Sequence, residues 1–141
     1  MPADKEPDVI TDHPVRVLAV DDDPAFLALI NRLVDATSGL ETVGEATSGE
    51  RAVEAVEDLQ PDLVLMDVRM PGVGGIHATR LIKATRPSTL VILVSTTHPD
   101  ELPVEAGNCE ADAIIWKSDL HPRLLDETWL RHRRRTQTES R

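Results

Sequence analysis

Val15-Arg16-Val17-Leu18-Ala19-Val20-Asp21-Asp22-Asp23-Pro24 is the stretch on which the fold turns. A short apolar run rich in β-branched residues, stopped by three aspartates, reads as a buried strand that ends at a polar edge. Asp23-Pro24 then reads as a helix start, with aspartate as N-cap and proline at the first helical position. Phe26, Leu27, Ile30, Leu33 and Val34 recur at helical spacing up to a stop near Ser38-Gly39.

The alternation continues outward from there. Leu40–Ala46 reads as a weaker strand, and Thr47-Ser48-Gly49-Glu50 has the spacing of a capping box before a helix carrying Ala52, Val53, Val56 and Leu59. Pro61 closes that helix. Leu63–Asp67 is the third strand, Gly75–Thr85 the third helix, Leu90–Ser95 the fourth strand and Ala113–Trp116 the fifth, with a last helix over about 121–133. Between the fourth and fifth strands only a short helix fits, over about 101–106, with Asp100 as cap, Pro103 in its first turn and Gly107-Asn108 as stop. Parallel neighbours need right-handed crossovers, so these units predict an α/β fold. The expected form is a doubly wound, five-stranded parallel sheet of flavodoxin-like order 2-1-3-4-5.

A chain of 141 residues has room for one such domain. We expect residues 1–13, acidic and proline-containing, to be a disordered leader, residues 14–130 the domain, and 131–141 a basic C-terminal tail with no output domain. The core must be aliphatic, because aromatic residues are limited to Phe26, Trp116 and Trp129. The longest uninterrupted apolar run, 25–30, is far short of the roughly 20 residues that span a bilayer. No membrane segment and a cytoplasmic location are therefore expected. The single cysteine, Cys109, cannot form an internal disulfide or a thiolate metal cage. The net charge of −10 is uneven: residues 131–141 carry five arginines against Glu139, which puts the preceding 130 residues at −14. Such a body repels phosphate backbones and offers no aromatic stacking platform, so direct nucleic acid binding is not expected.

In sheets of this kind, ligands bind outside the carboxyl ends of the strands, near the point where the strand order reverses. Asp21 and Asp22 follow the first strand, Asp67 ends the third, Ser95 the fourth, and Lys117 follows the fifth. Order 2-1-3-4-5 makes the first and third strands neighbours, bringing the carboxylates together, where they repel unless a cation neutralises them. An all-oxygen site with room for water suits magnesium better than zinc. With Lys117 and Ser95 as donors, these residues describe a pocket for a phosphoryl group beside a metal, with Asp67 free to act as nucleophile. Asp23 is best explained as a helix cap. Gly72, Gly74 and Gly75 match no phosphate-loop pattern and suit a turn after Pro71. The histidines at 13, 77, 98, 121 and 132 show no ligand spacing and read as solvated.

At these positions the sequence resembles the receiver domains of two-component response regulators. The matching motifs are Val17-Leu18-Ala19-Val20-Asp21-Asp22-Asp23-Pro24, Asp67-Val68-Arg69-Met70-Pro71-Gly72-Val73-Gly74-Gly75, Leu93-Val94-Ser95-Thr96 and Ile115-Trp116-Lys117. The resemblance implies that Asp67 accepts a phosphoryl group and that Asp22 and Asp67 ligate Mg²⁺ directly, with Asp21 acting mainly through water. It further implies the Arg69 carbonyl as a metal ligand and Ser95 and Lys117 as holders of the phosphoryl oxygens. The implied partners are a sensor histidine kinase or phosphotransfer protein and a downstream protein target, with a homodimer left open. The implied activity is that of a phosphoacceptor switch and not of a turnover enzyme.

Ser118 stands where receivers usually have proline, and Lys117-Ser118-Asp119-Leu120 looks like the NarL/FixJ (LuxR-type) subfamily. Ile114 stands where many receivers place a switching aromatic; Trp116, on the same strand face, could report or replace that motion, but core packing is its expected role. Two alternatives remain. One is the receiver part of a helix-turn-helix transcription regulator. The other is a haloacid-dehalogenase-like phosphohydrolase, for which Asp21 and Asp23 have the spacing but Ala25 stands where threonine is expected.

Overall fold

Strands buried on both faces carry the architecture. The computed structural model describes residues 14–139, with side chains through residue 133; the expected leader and the side chains of the last eight residues lie outside this range. β1 (Val15–Val20), β2 (Leu40–Ala46), β3 (Leu63–Asp67), β4 (Leu90–Ser95) and β5 (Ala113–Trp116) form a parallel sheet in the order β2-β1-β3-β4-β5. All five strands coincide with the bounds expected from the sequence. The doubly wound fold class and its strand order are as expected.

Side chains of period two divide the core in two. Val17 and Ala19 of β1, Leu63 and Leu65 of β3, and Ile92 and Val94 of β4 pack with Leu27, Ile30 and Val34 of α1 (Pro24–Asp35) and Leu125 and Trp129 of α5 (Pro122–Glu139). The alternate residues Leu18, Val20, Val64, Met66, Val91 and Leu93 pack with Ala52 and Val56 of α2 (Gly49–Leu59) and Ala78 and Ile82 of α3 (Gly75–Thr85). Most are fully buried, each contributing about 1.5–3 kcal/mol for a large aliphatic side chain. A one-residue slip in any central strand would turn this set inside out, which pins the register and therefore the height of each strand end.

Local signals differ from the sequence reading at three points. Ser48, not Thr47, caps α2: its Oγ accepts from the Arg51 backbone N–H at 3.1 Å, so Glu50 falls one place short of a capping-box position. The helix between β4 and β5 is not continuous over 101–106. A 3-10 turn, Pro99–Glu101, is followed after Leu102 by one turn of helix, α4 (Val104–Gly107), with Pro103 at its N-cap because proline's missing N–H is tolerated there. Finally α5 runs to Glu139, taking in most of the stretch expected as a tail. Nothing in 131–139 breaks a helix, since the stretch holds neither glycine nor proline. No helix among the described residues is long and apolar enough to cross a membrane.

Candidate functional site

The register builds the site. β1 pairs with β3 so that Val20 lies opposite Met66, which sets Asp21 and Asp67 side by side at the carboxyl edge. Asp67 in turn pairs with Val94, and Ser95 with Trp116, so Ser95 and Lys117 stand one step further along the same edge. The loop beyond Asp67 is tied down. The Val68 N–H donates to the Val94 carbonyl at 3.0 Å, and the Gly75 N–H returns to the Val68 carbonyl at 3.0 Å. A β-carbon at Gly75 would overlap the Asp67 carbonyl oxygen, so only glycine lets α3 start this close to the strand end. Gly72, after Pro71, has φ +73°, the left-handed value that a turn of this kind requires.

Oxygens of Asp21, Asp22 and Asp67 lie within 4.8 Å of one another. Asp21 is 1% exposed and has both oxygens engaged: Oδ1 accepts from the Asp23 N–H at 2.9 Å and Oδ2 from Lys117 Nζ at 2.9 Å. Asp22 is exposed. Asp67 is buried, and its Oδ1 lies 3.4 Å from Lys117 Nζ. Burial first and the neighbouring Asp21 charge second raise the Asp67 carboxyl above the usual aspartate range, with Asp22 adding to them; Lys117 opposes the shift and loses. One ammonium among three carboxylates leaves a formal charge of −2 when all are ionised, the complement of a divalent cation. The donor set is all oxygen, with one member open to solvent, and so fits a hard, partly hydrated ion.

Of the residues singled out from the sequence, Asp21, Asp22, Asp67 and Lys117 are brought together. Ser95 stands at the same edge, 2% exposed, but its hydroxyl is turned to the loop: Oγ donates to the Thr97 carbonyl at 2.8 Å and accepts from the Thr97 N–H at 2.9 Å. Arg69 lies two residues beyond Asp67 in the β3–α3 loop, with its side chain exposed. Asp23 caps α1 as expected, its Oδ1 accepting from the Ala25 N–H at 2.9 Å.

Two expectations are corrected. Trp116 is not a core residue; it is half-buried, its Nε1–H donates to the Thr96 carbonyl at 3.2 Å, and its ring meets the His98 ring edge-on at 5.0 Å. At a strand end, an indole N–H needs a partner, and the loop carbonyl supplies one. Of the histidines read as solvated, His132 is half-buried, whereas His98 and His121 are exposed as expected and use one ring nitrogen each in a local contact. His98 Nδ1 accepts from the Asp100 N–H, His121 Nδ1 from the Leu124 N–H, and His132 Nε2 lies 3.1 Å from the Asp112 carbonyl. His77 is exposed, and His13 lies outside the described residues.

The sequence reading missed the contact of Phe26, whose ring lies under Lys117 Nζ at 3.9 Å from its centroid. Helical spacing assigned Phe26 to the core. The available signal was that a chain poor in aromatic residues spends its single phenylalanine three residues past the acidic run.

A family model described as response regulator receiver domain matches residues 17–128. The response regulator GacA of Pseudomonas viridiflava is 42% identical over 103 residues, which are 73% of this chain and 48% of that protein. The nitrate/nitrite response regulator protein NarL of Escherichia coli is 31% identical over 113 residues, 80% of this chain and 52% of that one. The chain thus spans about half the length of these curated relatives. Among solved structures, the CheY-like response regulator receiver domain protein of Methanospirillum hungatei superposes with a TM-score of 0.77 at 27% identity, covering 89% of this chain and 98% of that one.

Proposed function

The chain belongs to the response regulator receiver domain family, and from that premise we propose that Asp67 is the phosphoryl acceptor of a cytoplasmic signalling switch. The supporting observation is the Asp67 carboxylate at the end of β3, beside Asp21 and within reach of a Lys117 ammonium that is salt-bridged to both. The receiver unit is taken as residues 14–130. The donor is a phosphohistidine on a sensor kinase or phosphotransfer protein. An Asp67 oxygen attacks phosphorus in line as the N–P bond breaks, and the electron pair stays on the departing imidazole nitrogen, which takes a proton. Mg²⁺, held by Asp22, Asp67 and the Arg69 carbonyl, with Asp21 mainly through water, would offset charge on the phosphoryl oxygens. Lys117 would do the same through its ammonium.

A phosphohydrolase reading is not favoured. It needs Asp23 as a free acid two residues beyond Asp21, whereas Asp23 is committed to capping α1 and Asp21 to Lys117. The chain is read as a phosphoacceptor, and its output as a changed protein surface around α4, β5 and α5. That surface acts on a protein target, through a homodimer or as the receiver of a helix-turn-helix regulator, with no nucleic acid bound by the acidic body itself. Incubation with Mg²⁺ and phosphoramidate, followed by mass spectrometry, should add one phosphoryl group to the wild type and none to Asp67→Ala. Equal labelling of the two would overturn the assignment.

Ser95 supplies the route to the surface. A hydroxyl has one proton to donate, and that of Ser95 is given to the Thr97 carbonyl. Reading a phosphoryl oxygen requires its release, which loosens the loop whose Thr96 carbonyl and His98 ring hold Trp116. In a Trp129→Phe background, phosphorylation should therefore shift Trp116 emission, and Ser95→Ala should lose the shift. Unchanged emission in the phosphorylated Ser95 protein would rule this route out.

A further inference from the structure

Lys117 meets a third neighbour besides its two carboxylates. Its ammonium has three N–H groups; Asp21 Oδ2 lies at 2.9 Å, Asp67 Oδ1 at 3.4 Å, and the face of Phe26 completes the surround with its centroid 3.9 Å from Nζ. We propose that Phe26 is a positioning residue for phosphoryl transfer, whose ring face holds the Lys117 ammonium at the mouth of the carboxylate cluster. The proposal rests on the reading of Asp67 as acceptor and adds a residue to it.

Three observations carry it. Lys117 reaches the site on a flexible four-carbon stem, so its charge needs fixing from more than one side. Its side chain is only 14% exposed, and a cation over a ring gains most when water is excluded. And Phe26 packs against the core stripe of its own helix only from its edge. Leu27 and Ile30 are 5% and 0% exposed, whereas Phe26 is half-buried at the edge of that cluster. An aliphatic side chain would serve an edge position as well; only an aromatic ring offers an electron-rich face to an ammonium.

The contact has a property that the carboxylates lack. When Asp67 becomes an acyl phosphate, negative charge leaves its carboxylate and gathers on the phosphoryl oxygens, and Lys117 must follow it. The ring is neutral throughout, so its hold on the ammonium survives that redistribution. Phe26 thus guides a short movement of Nζ where the carboxylates alone would exchange one tight pairing for another.

The test uses the full chain, with Phe26→Leu to remove the ring and Phe26→Tyr to keep it. With phosphoramidate and Mg²⁺, Phe26→Leu should label Asp67 about threefold to tenfold more slowly. The half-saturating Mg²⁺ concentration should not change, because a hydrocarbon ring offers the ion no ligand atom, and Phe26→Tyr should restore the rate. Ring currents give an independent signature. The chain has three lysines, Lys5, Lys83 and Lys117, and in the metal-free protein the ε-methylene resonance lost in Lys117→Arg should lie upfield of the other two. It should remain upfield in Phe26→Tyr. An unshifted Lys117 resonance, a wild-type rate in Phe26→Leu, or a Phe26→Tyr rate as slow as Phe26→Leu would each overturn the proposal. The resonance and the Phe26→Tyr rate decide even if Phe26→Leu fails to fold. Absence of any labelling in the wild type would instead remove Asp67 as acceptor, with the Lys117 resonance still to be read.

Discussion

Lys117→Met should lose both speed and stability. Removing one charge-stabilising donor from a preorganised site costs on the order of a hundredfold to a thousandfold in rate, and Lys117 is the cation nearest Asp67. Labelling of Asp67 by phosphoramidate at saturating Mg²⁺ should slow by at least about a hundredfold. The stability effect has a separate origin. Asp21 is 1% exposed and its Oδ2 takes its hydrogen bond from Lys117, so methionine would leave a buried carboxylate unpaired. Breaking a buried pair from one side costs about 3–5 kcal/mol. Lys117 keeps some solvent contact, which puts the expected loss near about 3 kcal/mol, a fall in Tm of about 10 °C for a domain of this size. Adding Asp21→Asn should recover part of that loss, because the double variant no longer buries an unmatched charge. A single variant as stable as the wild type would mean that the pair does not hold the fold, and a labelling rate within a few-fold of wild type would remove Lys117 from the transfer step.

The strands and the four ends they carry were legible for one physical reason. The central strands, β3, β4 and β1 beyond Arg16, are buried on both faces and so read as apolar runs, and a charged residue appears only where the run stops; β2, with Glu41 and Glu45 exposed, reads more weakly. Asp21, Asp67 and Lys117 stand at those stops, and spacing along the chain locates them before any contact is known. What spacing cannot carry is where a side chain turns. Ser95 reads as a donor to the pocket, yet its hydroxyl is satisfied within its own loop. Trp116 reads as core, yet its indole N–H draws it to Thr96. Phe26 reads as part of the α1 stripe, against which it does pack, yet its ring also faces a lysine 91 positions away along the chain. The weakest element follows the same logic. A segment with Pro99, Pro103 and Gly107 within nine residues has too few backbone donors in series for a long helix, and its pattern cannot say where the two short turns divide.

Asp67→Asn should stabilise the metal-free protein, and the gain should depend on pH in a defined sense. Burial and the Asp21 charge raise the folded Asp67 carboxyl, whereas in the unfolded chain it titrates near about 3.9. Below both values the group is neutral in both states and costs nothing. As pH rises through the window between them, the unfolded chain releases its proton first, the native state binds more protons than the unfolded one, and stability falls. Above the raised folded value the cost is constant. Asparagine has no proton to lose, so the stability difference between Asp67→Asn and wild type in chelator should open from about pH 4 upward and then level off. Mg²⁺ should reverse the order, because on the proposed reading the carboxylate that destabilises the metal-free site would be a ligand of the bound ion. At a hundredfold excess over Kd a bound ion adds about 2.7 kcal/mol, and the wild type, with three carboxylates against two, should reach that excess at lower concentration. Thermal melts of both proteins across pH in chelator, then with increasing Mg²⁺, read the two effects separately. A pH-independent difference would remove the buried Asp67 charge as its cause, and equal Mg²⁺-induced shifts in Tm would mean that Asp67 does not share in holding the ion.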